Sequence, residues 1–278
     1  MTPVTLARER AARHVSEMTQ LTALPSRAVI AVGGDDWRSL LQGLLTQDVD
    51  SLAPGELRFG ALLTPQGRLM FDLFILGRED GCWLDVQASQ RADLLRRLMM
   101  YRLRAKVTLA ESDAPVFARW DGAAGDGWVA DPRLPELGLR AYGLEIEAPD
   151  DEAAYDAHRM ALGVPGPADW AGETTYPIEA NFDLLNGIDF KKGCFVGQET
   201  TSRMKRRGQV RSRMLPLDFD GDPPAYGTEV LAGTLRAGEV LSTGEDRAIA
   251  LVRLDRIDGA NLTIDGYAVT VERPDWLV

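Results

Sequence analysis

From Leu69 to Leu76 the chain reads Leu-Met-Phe-Asp-Leu-Phe-Ile-Leu, seven apolar side chains around one carboxylate. A continuous apolar run of this length reads as a buried strand, and it is far short of the roughly 20 residues a membrane span needs. Asp72 is then what the fold must accommodate. A buried strand carboxylate is costly unless a cation, backbone amides or a ligand meets it. Two readings follow: the Asp72 face is solvent-exposed or paired with Arg68 or another arginine, or Asp72 serves a ligand.

Around this strand the pattern is α+β. Residues 28–32 are apolar, Gly33-Gly34 breaks the run, and Asp35 or Asp36 is placed to cap a helix. Trp37, Leu40, Leu41, Leu44 and Leu45 then recur at helical spacing as one buried face. Residues 57–63 and 69–76 flank Thr64-Pro65-Gln66-Gly67, a hairpin-type turn. A strand is expected over 82–87, a helix from Ser89 through Tyr101, a returning strand over 105–110, short strands and turns over 111–148, and a helix from Asp150 or Asp151 to Leu162. Residues 164–190 read as loop, where sites concentrate. After Val210, short apolar runs (229–231, 248–254, 262–264, 268–271) alternate with glycine turns, which predicts a small barrel or sandwich of about 70 residues. The organisation expected is a leader over 1–20, with Met18 as an alternative start, an α+β region of two subdomains over 21–208, and a barrel over 209–278.

Lys plus Arg number 31 and Asp plus Glu 42, a formal charge of −11 that argues against a general binder of nucleic acid or anionic membrane. Any anion site must be local. Two cysteines, Cys82 and Cys194, cannot form a disulfide framework, and two histidines make a preformed zinc site improbable. Phosphate-loop, nucleophile-elbow and histidine-metal signatures are all missing.

Cys194 follows Lys191-Lys192-Gly193 and precedes Phe195-Val196-Gly197-Gln198-Glu199. The two lysines and a helix N-terminus beyond would favour a thiolate, although lone cysteines are usually inert core residues. Arg203, Lys205, Arg206, Arg207, Arg211 and Arg213 put six cations into eleven residues. Such a run reads as a solvated face, an RNA contact, or a local site for a carboxylate- or phosphate-bearing ligand.

Lys192-Gly193-Cys194-Phe195-Val196-Gly197-Gln198-Glu199 resembles the signature of the YgfZ-type folate-binding proteins, relatives of the glycine-cleavage T-protein (aminomethyltransferase) that act in iron-sulfur cluster assembly or repair. Supporting matches are Leu41-Gln42-Gly43, Thr46-Gln47-Asp48-Val49, Gln66-Gly67-Arg68, Asp131-Pro132-Arg133 and Pro177-Ile178-Glu179-Ala180, with Arg203 and Gly208 beyond. Phe195 departs from the family's usual tyrosine, so a phenol hydroxyl is lost.

The resemblance implies three subdomains around a central hole, the last a small β-barrel, with tetrahydrofolate in the hole. It implies Glu179 as the pterin carboxylate, since pterin presents N3–H and a 2-amino group side by side. It also places Asp72 near the reacting folate nitrogens, puts Lys192, Gln198 and Arg203 among the folate-binding residues, and sets the basic run to attract the glutamate tail. The function implied is a tetrahydrofolate-binding accessory protein for iron-sulfur enzymes or cluster-assembly proteins, with Cys194 as a transient thiolate. Its compartment would be the cytoplasm of a bacterium or the mitochondrial matrix of a eukaryote, and neither membrane nor nucleic acid is expected as a partner. The alternatives are a folate-dependent one-carbon transferase using Asp72, and an RNA-modification helper using the basic run.

Overall fold

The computed structural model describes residues 20–121, 125–170, 173–208 and 210–277; nearly all of the expected leader lies outside them. Three antiparallel sheets organise the chain. The first has five strands in the order β3-β4-β5-β2-β6: β2 is Arg27–Gly33, β3 Leu57–Leu63, β4 Leu69–Arg78, β5 Gly81–Gln87 and β6 Thr108–Ser112. Helices α1 (Trp37–Leu44) and α2 (Arg91–Arg102) cover one face, burying Trp37, Leu41, Leu94 and Leu98 with Phe71, Leu73 and Ile75 of β4. β4 alternates, so Asp72 and Phe74 point to the opposite face.

The second sheet has four strands, β1 (Leu21–Ala23), β7 (Val116–Arg119), β9 (Leu139–Tyr142) and β8 (Trp128–Ala130) in that order. The third is a closed six-stranded barrel of β10 (Ser212–Phe219), β11 (Glu229–Ala232), β12 (Leu235–Thr243), β13 (Arg247–Arg253), β14 (Leu262–Ile264) and β15 (Tyr267–Val271). Between the second sheet and the barrel come α3 (Glu152–Ala161) and α4 (Gln198–Arg207), and α5 (Leu254–Ile257) follows β13. One apolar core joins all three sheets, through Phe59 and Phe74 of the first, Val116 and Tyr142 of the second, and Met214 and Ile249 of the barrel.

Two expected caps differ in detail. Asp36 does precede α1, but its carboxylate accepts the backbone N–H of Lys106 at 2.7 Å rather than capping the helix. Asp151, by contrast, caps α3 by accepting from the Ala154 N–H at 3.2 Å.

Candidate functional site

Where the first two sheets meet α3, a cavity of about 360 Å³ opens, lined among others by Arg27, Asp72, Phe74, Arg133, Arg140, Tyr155 and Trp170. Three arginines with buried side chains line it together with Asp72, and two further buried aspartates outside the lining, Asp85 and Asp131, pair with them. Arg27 of β2 donates Nη1 to Asp72 Oδ2 at 2.9 Å and Nε to Asp85 Oδ1 at 2.6 Å. From the second sheet, Arg140 reaches Asp85 Oδ2 at 2.8 Å, and the Tyr142 hydroxyl donates to the same oxygen at 2.9 Å. Arg133 holds Asp131 through Nε at 3.0 Å and Nη2 at 2.7 Å, and Nη2 also donates to Tyr155 Oη at 2.9 Å. Phe74 lies beneath, with the Arg140 and Arg133 guanidinium carbons 4.0 and 4.8 Å from its ring centre.

The charges are interlocked. Burial pushes the Asp85 carboxyl up, but Arg27 and Arg140 outweigh it and hold Asp85 below its usual range; Arg133 does the same for Asp131. Asp72, only 2% exposed, differs in one respect: Oδ2 is taken by Arg27, while Oδ1 is buried with no hydrogen-bond partner among the described residues. Both readings of Asp72 thus have a counterpart, since an arginine pairs with it, Arg27 rather than Arg68, and one acceptor is left at the cavity.

The signature segment lies elsewhere and is anchored by its own residues. The Lys192 ammonium, expected on the ligand, instead donates to the carbonyls of Gln42, Leu45 and Gln47 at 2.8, 2.6 and 2.9 Å. All three protons are used, and burial pushes its pKa down to about 8. Phe195 is buried in the shared core with its ring 5.4 Å from that ammonium, and the Val196 N–H donates to the Gly43 carbonyl at 3.2 Å. Gly197 lies on the β3–β4 turn with φ +81°; a Cβ there would be 2.6 Å from the Thr64 carbonyl oxygen. The matched motifs around residues 43, 47, 67 and 197 are therefore one docking arrangement. Cys194 and Gly193, between these anchors, are exposed, and no heavy atom lies within 4 Å of a Cβ built on Gly193.

The remaining expected residues are dispersed. Glu179 accepts the Tyr176 N–H at 2.9 Å in its own turn, close to Arg68, which stacks on Tyr176. Burial pushes its carboxyl up, more than that bond and Arg68 lower it. Gln198 opens α4 half-buried, and Arg203 is exposed on the same helix. Glu179, Cys194, Lys192, Gln198, Arg203 and the rest of the basic run are outside the cavity lining; Arg159 is the additional cation at its wall. Arg27, Asp85 and Arg140 were not anticipated, although Asp85 repeats the signal of Asp72, a carboxylate between apolar neighbours in a strand.

The solved aminomethyltransferase T of the glycine cleavage system from Bartonella henselae superposes with a TM-score of 0.75 at 16% identity, covering 95% of this chain and 88% of that one. The chain has the aminomethyltransferase T fold. Residues 211–278 match the family described as the CAF17 C-terminal beta-barrel domain, in agreement with the barrel from Ser212. Among curated proteins, the mitochondrial iron-sulfur cluster assembly factor IBA57 homolog of Mycosarcoma maydis is 34% identical over 250 residues, covering 78% of this chain and 62% of that protein. Its counterpart in Neurospora crassa is 34% identical over 241 residues, covering 73% and 55%. The chain thus spans a little more than half the length of these relatives.

Proposed function

We propose that this chain serves in iron-sulfur cluster assembly, binding tetrahydrofolate at the Asp72 cavity and offering Cys194 as a ligand or thiolate to a cluster held jointly with a partner. Similarity to proteins named as iron-sulfur cluster assembly factors supports the role, and they are named as mitochondrial, which favours the matrix as its compartment. The observation that carries the ligand is the unpartnered Asp72 Oδ1. A reduced pterin fits this cavity chemically: its N–H donors complement a buried acceptor, and Phe74, Tyr155 and Trp170 supply aromatic wall. In this reading Asp72 replaces Glu179 as the anchor. One cysteine supplies one ligand, so any cluster is shared.

The test is restoration of cluster-dependent enzyme activity in cells lacking their own homologue. Wild type is expected to restore it and Cys194→Ser to lose it, with the thermal midpoint unchanged because the thiol is exposed. Full restoration by Cys194→Ser would remove the cysteine from the account. The shared fold and the same Asp72 oxygen also support a one-carbon transferase; aminomethyl turnover that Asp72→Asn abolishes would favour that second reading.

A further inference from the structure

Helix α2 carries a second apolar surface. Leu94 and Leu98 face the five-stranded sheet and are buried, but Met99, Met100 and Leu103 fall on the opposite side of the helix, 45%, 64% and 85% exposed. Cations frame them. Residues 91–106 hold six lysines and arginines against Asp93 alone, in a chain whose formal charge is −11. Arg91, Arg96 and Lys106 meet Glu111, Asp93 and Asp35, whereas Arg97 and Arg104 make no ion pair among the described residues.

Leu103 has a further anomaly. The Ala105 N–H donates to the Arg102 carbonyl at 2.8 Å, closing a turn whose first central residue is Leu103, with φ +46° and ψ −106°. Positive φ at that position belongs to turns of type II′, where glycine is the usual residue because a side chain strains the backbone. The chain keeps a leucine there, in an unfavourable conformation, with its side chain in water. Neither packing nor turn geometry accounts for that residue.

We propose that this end of α2 rests on an anionic lipid bilayer, with Met99, Met100 and Leu103 entering the headgroup region and Arg96, Arg97, Arg104 and Lys106 meeting lipid phosphates. Exposed apolar side chains framed by cations are the composition of an interfacial membrane contact. The overall charge of −11 keeps the rest of the surface off such a bilayer, so the contact is confined to this patch. A second copy of the chain is a poor occupant, because a two-fold contact would set one cationic frame against another. Leu103 projects from a helix end, and a fluid bilayer receives such a tip without a shaped counterpart. Phe71, Leu73 and Ile75 of β4 pack toward the helices while Asp72 points to the other face, which keeps the Asp72 cavity on the side away from the lipid.

The experiment floats the full chain with vesicles of phosphatidylcholine, alone or mixed with phosphatidylglycerol, at low and at raised salt. Wild type is expected to bind the mixed vesicles, to be released by salt, and to leave pure phosphatidylcholine unbound. Leu103→Gly is expected to lower the partition coefficient roughly tenfold or more, as for one inserted leucine. Its thermal midpoint should equal or exceed that of wild type, because glycine relieves the turn. Arg97→Gln/Arg104→Gln is expected to lower partitioning roughly twentyfold, at about fivefold for each cation near an anionic surface. Failure of wild type to bind the mixed vesicles, or binding that both variants retain in full, overturns the contact. A wild-type dimer that Leu103→Gly dissolves, with no vesicle binding, gives the patch to a second copy and overturns it too.

Discussion

Asp85→Ala is expected to destabilise the folded protein by about 3–5 kcal/mol, read as a lower urea midpoint at an unchanged slope. Asp85 bridges Arg27 of the first sheet and Arg140 of the second, and its side chain is 1% exposed. Removing it leaves two buried guanidinium groups short of a counter-charge and takes away the acceptor of the Tyr142 hydroxyl, which is worse than never having built the pair. The pH dependence has a definite sign. Asp85 and Asp131 are held below their usual range in the folded state, so the unfolded chain binds their protons more readily. Their stabilisation is complete above the unfolded carboxylate pKa of about 4 and is lost as pH falls from there toward the folded values. Wild type should therefore lose stability in acid more steeply than Asp85→Ala.

Gly197→Ala is the second large effect. The position has φ +81°, and the added methyl would sit 2.6 Å from the Thr64 carbonyl oxygen and 2.9 Å from the Gly67 Cα, both backbone atoms that cannot swing aside. Strain at such a backbone conformation alone costs about 1–3 kcal/mol, and the clash adds to it by lifting the signature loop off the β3–β4 turn. Loss of thermal stability and of restored cluster-enzyme activity are expected together. Gly193→Ala is the internal contrast: its Cβ meets open space, so stability should change by no more than about 0.5 kcal/mol.

Local pattern carried much of the architecture. The apolar run around Asp72 and the turn at residues 64–67 became β4 and its hairpin, and four of the six barrel strands were visible as short apolar runs. β12 was hidden because Arg236, Gly238 and Glu239 break its apolar pattern and a register shift falls between Val240 and Ser242. The returning strand expected over 105–110 lies at Thr108–Ser112, displaced because Lys106 is occupied with Asp35 and Asp36 at the start of α1. The site was less legible. Arg27, Asp72, Asp85 and Arg140 come from four strands of two sheets, and nothing local says that they converge. Nor does the Lys191-Lys192 pair reveal which ammonium turns inward to bind carbonyls and which stays on the surface.

Calorimetric titration of tetrahydrofolate into wild type, Asp72→Asn and Glu179→Gln decides whether Asp72 anchors a bound folate. One site is expected in wild type, with affinity reduced roughly tenfold or more by Asp72→Asn, as for loss of a charged hydrogen-bond acceptor, and essentially unaltered by Glu179→Gln. No binding to wild type, or the larger loss in Glu179→Gln, would contradict the assignment of the cavity and its anchor.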